Sequence, residues 1–276
     1  MSSSCKRLIR SFNPALCAAV ASIALSACGG GGGGNEPLPP TPEAFINSGN
    51  YEATAGIAAA GAQHSAEMLL AGVLPINAVA ADAPAGNYPC IAGGSMTLSI
   101  AGTVRNYSAQ SCQTGEAFLA SGSISDTVGQ SSGGHSLTIK DLVFRVGDSA
   151  APLQTLNGSV AASLTAQGLP SAVIADLSLS QGTRTQTYAL TMDASGKLII
   201  VLQTPSLAQK LVYTIDPQST SVKVSSRGDG SSVTIVESAD GKSYTLELRP
   251  DSSASSPTAS KTLSAAEFEA LLKKSL

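Results

Sequence analysis

The feature that most constrains this fold is a series of short segments, from about Ser95 to Pro250, in which apolar and polar residues alternate. Alternation places every second side chain on the same face of a strand, so that one face is buried and the other is solvated. This pattern is typical of antiparallel sheets. The clearest segments are Val160-Ala162-Leu164, Tyr188-Leu190-Met192, Leu198-Ile200-Leu202, Val222-Val224 and Tyr244-Leu246-Leu248.

Turn signals separate these segments. They are Asp193-Ala194-Ser195-Gly196, Asp216-Pro217, Gly228-Asp229-Gly230 and Asp240-Gly241. Connections this short join antiparallel neighbours, so residues 90–250 are predicted to form a meander of roughly ten to twelve strands. The fold class is therefore mainly β, either as one large curved sheet or as a two-layer sandwich.

Two parts of the β region are similar to each other. Gly122-Ser123-Ile124 is followed by Asp141-Leu142, and Gly158-Ser159-Val160 is followed by Asp176-Leu177. The Gly-to-Asp spacing is 19 residues in the first copy and 18 in the second. This similarity favours a repeated hairpin unit, with chance as the alternative because only two copies are present.

A helical segment is predicted before the sheet, at residues 41–75. Thr41-Pro42-Glu43 has the composition of a helix start, and Gly49 would end that helix. Asn50 can cap a second helix that runs from Tyr51 to about Ala71. The many alanines of this second helix would allow a close approach to a partner surface.

The C-terminal part of the chain predicts a linker at residues 251–262 and a helix at residues 263–276. Ser264 and Glu267 have the spacing of a capping box, in which each side chain bonds to the backbone of the other residue. Lys273 and Lys274 suit the negative end of the helix dipole.

The N-terminus has the layout of a secretory signal. Lys6, Arg7 and Arg10 precede a mostly apolar run from Phe12 to Leu25, which is too short to span a bilayer comfortably. The run ends in Leu25-Ser26-Ala27-Cys28, which resembles the lipobox of bacterial lipoproteins. The resemblance implies that residues 1–27 are removed and that Cys28 is acylated on its thiol and its new amine. Several acyl chains, palmitate among them, would give stable membrane anchoring.

Residues 28–40 form a predicted tether. An unbroken glycine run at 29–34 is flexible, and the prolines that follow form a stiffer spacer. The residue after Cys28 is Gly29 and not Asp, and lipoproteins of this kind are usually passed to the outer membrane. The expected location is therefore the cell envelope, with the protein held by lipid at the outer membrane.

Charge and composition argue against several classes of function. Removal of the signal leaves 13 basic and 19 acidic residues, a formal net charge of −6. An acidic chain of this kind is not expected to bind nucleic acid. Trp is absent and the other aromatic residues are few, which counts mildly against both nucleic-acid and carbohydrate sites built on stacked rings.

The five cysteines divide into three groups. Cys5 and Cys17 leave with the signal, and Cys28 takes lipid. Cys90 and Cys112 remain as an even pair in an oxidising compartment, which predicts one disulfide bond.

No catalytic, cofactor-binding or metal-binding residues are predicted. His64 lies three residues before Glu67, which is half of a metal pair, but an exposed helical face is the simpler interpretation. His135 follows two glycines and is interpreted as a loop tip. Arg227-Gly228-Asp229 is the tripeptide that integrin ligands display, and it is also a good turn.

Two functions remain. The first hypothesis is a lipid-anchored envelope protein with a structural or interaction role and no catalytic activity, whose core is dry and whose partner is another envelope protein. The alternative is a periplasmic carrier of an apolar ligand such as a lipid. Carriers of that kind are curved antiparallel sheets with helices on the concave side, so this alternative rests on analogy of fold.

Overall fold

The computed structural model describes residues 46–73, 75–76, 79–114, 117–128, 134–147, 149–164, 170–204, 210–227 and 229–275. The predicted signal, Cys28, the predicted tether and residues 41–45 of the helix predicted at Thr41 lie outside these residues. Residues 46–49 of that predicted helix form a bend and a turn, so its second half is not helical.

The strands form a single antiparallel sheet that is not closed. They follow one another in chain order with one exception. Both β3 and β4 pair with β5, and β4 pairs with no other strand. The strands are β1 (Gly86–Pro89), β2 (Ser95–Ala101), β3 (Val104–Gln110), β4 (Cys112–Thr114), β5 (Ala117–Val128), β6 (Gly134–Val146), β7 (Gln154–Leu164), β8 (Pro170–Gln181), β9 (Arg184–Met192), β10 (Leu198–Gln203), β11 (Leu211–Ile215), β12 (Ser221–Ser226), β13 (Ser232–Glu237), β14 (Ser243–Arg249) and β15 (Ala259–Ser264).

The mainly β meander is confirmed, but the predicted strand count was too low, since the described residues contain fifteen strands. The additional strands include β1, β4 and β15, which are short and carry little apolar alternation. The prediction of a linker at 251–262 was wrong in its last four residues. Ala259–Ser264 pair with β14, and their backbone hydrogen bonds hold a segment that side-chain burial alone would not reveal.

The inner face of the sheet is the side that carries its buried side chains, among them Leu137, Leu190 and Leu246. The outer face is the opposite, solvated side. Helices cover the inner face, so the molecule is one curved sheet around helices and not a two-sheet sandwich.

Helix α1 (Tyr51–Gly72) has the predicted bounds and lies against the inner face. It contacts β5 and β6 in one half of the sheet and β10, β11, β13 and β14 in the other half. Its buried side is made of small residues such as Ala55, Ala58 and Ala59. Small side chains let a helix backbone approach its neighbours closely, which gives a long sheet enough room to curve around one helix.

Two glycines mark the closest contacts of α1. A Cβ atom at Gly61 would lie 2.6 Å from the hydroxyl oxygen of Tyr213 and 2.9 Å from a methyl of Leu202. A Cβ atom at Gly72 would lie 2.6 Å from the end of Ile139. The helix and the sheet are therefore in direct van der Waals contact at both places.

The segment after α1 continues along the inner face. Val73, Ile76, Val79 and Ala83 are buried. The guanidinium of Arg105, on β3, donates to the carbonyl oxygens of Ala80 (3.0 Å) and Ala81 (2.6 Å). No helix in the described part of the chain combines the length and apolar character needed to cross a membrane.

Helix α2 (Ala265–Ser275) packs against α1 and the last strands. The Phe268 ring stacks on Tyr244 with centroids 4.2 Å apart, and Leu272 is buried beside it. The predicted capping box is confirmed. The Ser264 backbone N–H donates to Glu267 Oε2 at 2.7 Å, and the Glu267 N–H donates to Ser264 Oγ at 3.3 Å.

The N-terminal cap of α1 differs from the prediction. Asn50 does precede the helix, but its side chain makes no capping hydrogen bond. Its Oδ1 instead accepts the backbone N–H of Asn47 at 2.8 Å. The cap-like residue therefore stabilises the turn before the helix.

The two similar sequence segments occupy equivalent places, in the β5–β6 and β7–β8 hairpins. Gly122 and Gly158 have φ values of +103° and +136°. A Cβ atom at either one would overlap the neighbouring strand's backbone, at Asp141-Leu142 and Asp176-Leu177 respectively. The Gly and the Asp-Leu of each copy are thus one feature, a place where two backbones approach too closely for any other residue.

We expect Gly158→Ala to destabilise the fold by about 3 kcal/mol or more, because the new methyl adds backbone overlap to a strained φ. The matched control is Gly182→Ala, in the β8–β9 turn, where φ is +59° and nothing lies within 4 Å of the new Cβ. That variant should lose only about 1 kcal/mol. Urea unfolding of both variants measures the difference, and equal losses would contradict the assignment.

Candidate functional site

A group of buried polar and titratable side chains lies between α1 and the inner face. His64 is only 6% exposed, so its interpretation as part of an exposed helical face was wrong. Its Nδ1 lies 3.0 Å from the Tyr188 hydroxyl oxygen and 3.2 Å from Gln186 Oε1. The Tyr188 hydroxyl donates to Gln186 Oε1 at 2.6 Å. Because that proton is used, Nδ1 of His64 carries the proton and donates to these oxygens.

Glu67 extends this polar group one turn further along α1. Its Oε1 accepts from Gln63 Nε2 at 2.8 Å, and its Oε2 accepts from Gln154 Nε2, on β7, at 3.5 Å. His64 and Glu67 are thus both held by glutamines. The described residues contain no group of three His, Cys, Asp or Glu side chains that could hold a metal ion.

Burial dominates the titration of this group. Burial lowers the pKa of His64 to about 4, although the contact with Gln186 opposes the shift. Burial also raises the pKa of Glu67, and it raises the pKa of Tyr188 with a smaller contribution from the Glu67 charge. Burial raises the pKa of Tyr213 as well, followed by the effect of Tyr188. Each group is therefore held in its neutral form more strongly than in water.

Two atoms near α1 are buried and have no hydrogen-bond partner among the described residues. They are the hydroxyl oxygen of Tyr213 and Oε1 of Gln154. Such atoms reduce stability because they lose their hydrogen bonds to water on folding.

A second polar pair lies on the neighbouring strands β5 and β6, on the β1 side of the first group. Nδ1 of His135, on β6, lies 2.9 Å from Oδ2 of Asp126, on β5, and Asp126 is 1% exposed. The loop-tip interpretation of His135 was therefore wrong, since His135 belongs to a strand and is half-buried. This pair resembles the base and acid of a hydrolytic triad, but no serine hydroxyl is seen hydrogen-bonded to His135 among the described residues.

Arg105 and Tyr107 lie beside this pair on β3. Arg105 Nε donates to the Tyr107 hydroxyl at 3.0 Å while its other nitrogens hold the segment after α1. Burial raises the pKa of Tyr107 despite the nearby guanidinium, so Tyr107 remains a neutral phenol. The arrangement fixes the segment after α1 against β3.

Two further sequence-derived sites are at least partly within the described residues. Cys90 and Cys112 form the predicted disulfide, with Cα atoms 5.4 Å apart, and it links the end of β1 to β4. In the Arg227-Gly228-Asp229 tripeptide, the Asp229 carboxylate accepts from the backbone and hydroxyl of Ser231, as in an ordinary turn. Cys28 lies outside the described residues.

Sequence reasoning did not find Asp126, Gln154 or Gln186. A signal was present for two of them. Asp126 follows Ile124 at the inward spacing of a strand, and Gln186 precedes Tyr188 and Leu190 at the same spacing. A polar residue in phase with the apolar positions of a strand indicates a buried polar contact.

No protein-family model matches the chain, and a search of curated proteins finds no match. The function must therefore be argued from the residues of this chain.

We expect the buried His64 to make stability depend on pH. Its pKa is about 4 in the folded protein and about 6.5 when unfolded, so the unfolded chain binds the proton first as the pH falls. The His64 contribution to the free energy of unfolding should therefore drop by about 3 kcal/mol between pH 7 and pH 4. Glu67 acts in the opposite direction, because its raised pKa lets the folded chain take up a proton first.

Urea unfolding of wild type and His64→Gln at both pH values isolates the His64 effect. The stability advantage of wild type over the variant should shrink on acidification. Ala53→Gln, at an exposed position of the same helix, should keep the wild-type dependence. An unchanged difference between wild type and His64→Gln would contradict the prediction.

Proposed function

We propose that this protein is a lipid-anchored envelope lipoprotein with a structural or interaction role, which presents the outer face of its sheet to a partner. The observation that carries the proposal is the packing of α1. Side chains of the inner face meet this helix directly, and Gly61 and Gly72 are in contact with Tyr213 and Ile139. The inner face is thus used for the protein's own core.

The alternative role, a carrier of an apolar ligand, needs space on the same inner face. α1 occupies the place where such a ligand would lie, and its displacement would expose side chains such as Leu202, Leu211 and Leu246 to water. Burial of one leucine side chain contributes about 2 kcal/mol, so exposure of many is strongly unfavourable. The carrier role is therefore the weaker candidate.

The outer face supports an interaction role in a different way. It is mainly Ser and Thr, with a few large apolar residues in the central strands. Ile174 is 63% exposed and Ile199 is 42% exposed. Thr191, on β9, is paired with both of them in the strand register, so the two isoleucines lie on either side of one strand. The two isoleucines form a small apolar patch on this face that a partner could cover.

Photo-crosslinking in intact cells tests the proposal. A photoreactive amino acid at Ile174 should give one defined adduct with an envelope component, whereas the same group at exposed Ser253 should give none. In parallel, native mass spectrometry of the purified protein should show its own mass without a bound lipid. A stoichiometric, solvent-extractable lipid together with no adduct would favour the carrier role instead.

The anchor has its own test. We expect Cys28→Ser to abolish acylation, so that the protein leaves the membrane fraction and becomes soluble after release. Cys17→Ser, within the predicted signal, should keep the anchor and serves as the control. Metabolic labelling with a palmitate analogue, followed by fractionation, measures both effects. Retention of Cys28→Ser in the membrane would contradict the lipobox assignment.

A further inference from the structure

The outer face contains a cavity of about 340 Å³ that spans β7 to β10 and reaches Lys210, just before β11. Its polar side chains are Asn157, Asp176, Ser178, Thr187, Gln203 and Lys210. They comprise two amides, two hydroxyls, one carboxylate and one ammonium group. The cavity therefore has many hydrogen-bonding groups and no net charge.

Strand register places most of these groups in one straight row. Asn157 pairs with Ser178, Ser178 with Thr187, and Thr187 with Gln203. Lys210 directly precedes Leu211, whose partner on β10 is Leu202, so Lys210 continues the row beyond Gln203. Adjacent strands lie about 4.8 Å apart, so the row offers one polar side chain at each such interval.

An aliphatic strip runs beside this row. Two residues further along each strand, Ala189 on β9 pairs with Val201 on β10, and Val201 pairs with Val212 on β11. The Asp176 carboxylate, on β8, is paired with Ala189 and gives the strip a polar end. The cavity thus has a polar side and an apolar side that both run across the strands.

The polar groups of the row are available to a ligand. Within the described part of the chain, the side chains of Ser178, Thr187 and Gln203 make no hydrogen bonds to other residues. Asn157 is partly engaged, because its Oδ1 accepts the backbone N–H of Asp141 at 2.7 Å.

We propose that this row binds an extended, uncharged saccharide chain that lies across the strands. A strand spacing of about 4.8 Å is close to the length that one pyranose ring adds to an extended β-linked chain, so each ring can meet one polar side chain. Hydroxyls are both donors and acceptors, as are the amides and hydroxyls of the row. The C–H faces of the rings would lie on Ala189 and Val201.

Other polymers fit this row less well. An extended peptide is usually bound at the edge of a sheet, where unpaired backbone groups are available, whereas these strands are all paired. An anionic polymer would need more than the single ammonium of Lys210, with the Asp176 carboxylate nearby. None of the side chains of the row or of the strip is aromatic, so we expect weak binding that depends on chain length.

This inference rests on the proposed interaction role, since it names the class of partner. The test is calorimetric and saturation-transfer titration of the full-length protein, held in a detergent without a sugar headgroup. The probes are chitohexaose and cellohexaose, which are extended β-linked chains, and maltohexaose, an α-linked chain that curls. We expect saturable binding of at least one β-linked hexamer, with tighter binding of the hexamer than of the trimer and no binding of maltohexaose.

Variants then locate the site. Thr187→Ala with Gln203→Ala removes two groups of the row and should weaken binding about tenfold or more. Ser108→Ala with Gln110→Ala, on the exposed positions of β3, is the matched control and should bind as wild type. Equal thermal unfolding midpoints would show that both double variants are folded.

The outcomes separate the two proposals. No binding of either β-linked hexamer, or equal loss in both double variants, overturns the saccharide inference. If Ile174 still gives an envelope adduct in that case, the interaction role stands with a partner of another class. If neither a saccharide nor an adduct is found, both fail together.

Discussion

Packing of α1 against the inner face is the contact on which the rest of this structure depends. A sheet of fifteen strands has one apolar face that must be covered, and a single helix with its following segment covers much of it. Small residues make this geometry possible because the strands can approach the helix backbone from several directions. Large residues then come almost entirely from the sheet, where Tyr188, Tyr213 and Tyr244 are among the largest buried side chains.

Polar groups in the same core have a different role. An Ala-rich helix has few large side chains that could interlock with the sheet. Apolar contacts alone would therefore fix its position along the sheet only weakly. Each polar group instead requires a particular partner. His64 bonds to Tyr188 and Gln186, and Glu67 bonds to Gln154. The segment after α1 bonds to the guanidinium of Arg105. Hydrogen bonds of this kind add little net stability, but a misplaced helix would leave several of them unmade in a dry environment. These hydrogen bonds therefore fix the position of α1 along the sheet more than they stabilise the fold.

The sequence predicted the parts of this structure that local rules determine. The meander, the disulfide, the bounds of α1 and the Ser264–Glu267 capping box each follow from alternation, spacing or composition. The buried position of His64 could not be predicted in this way. The helix is rich in Ala on all sides, so its sequence does not show which face is exposed. His135 was assigned to a loop although it is in phase with Leu137 and Ile139, since the preceding glycines were given more weight. The outer cavity depends on the register of five strands, which no single segment encodes.

The distances in sequence between contacts of the N-terminal segment have a consequence for biogenesis. Ile46 donates its backbone N–H to Ser231, and Glu52 pairs with Lys261 at 2.7 Å, although 185 and 209 residues separate these partners. A chain that emerges with its N-terminus first therefore cannot complete its core until nearly the last strand has appeared. Contacts this remote favour slow folding. Late folding would suit the membrane export that the proposed signal requires, because the segment synthesised first has nothing to pack against during transit.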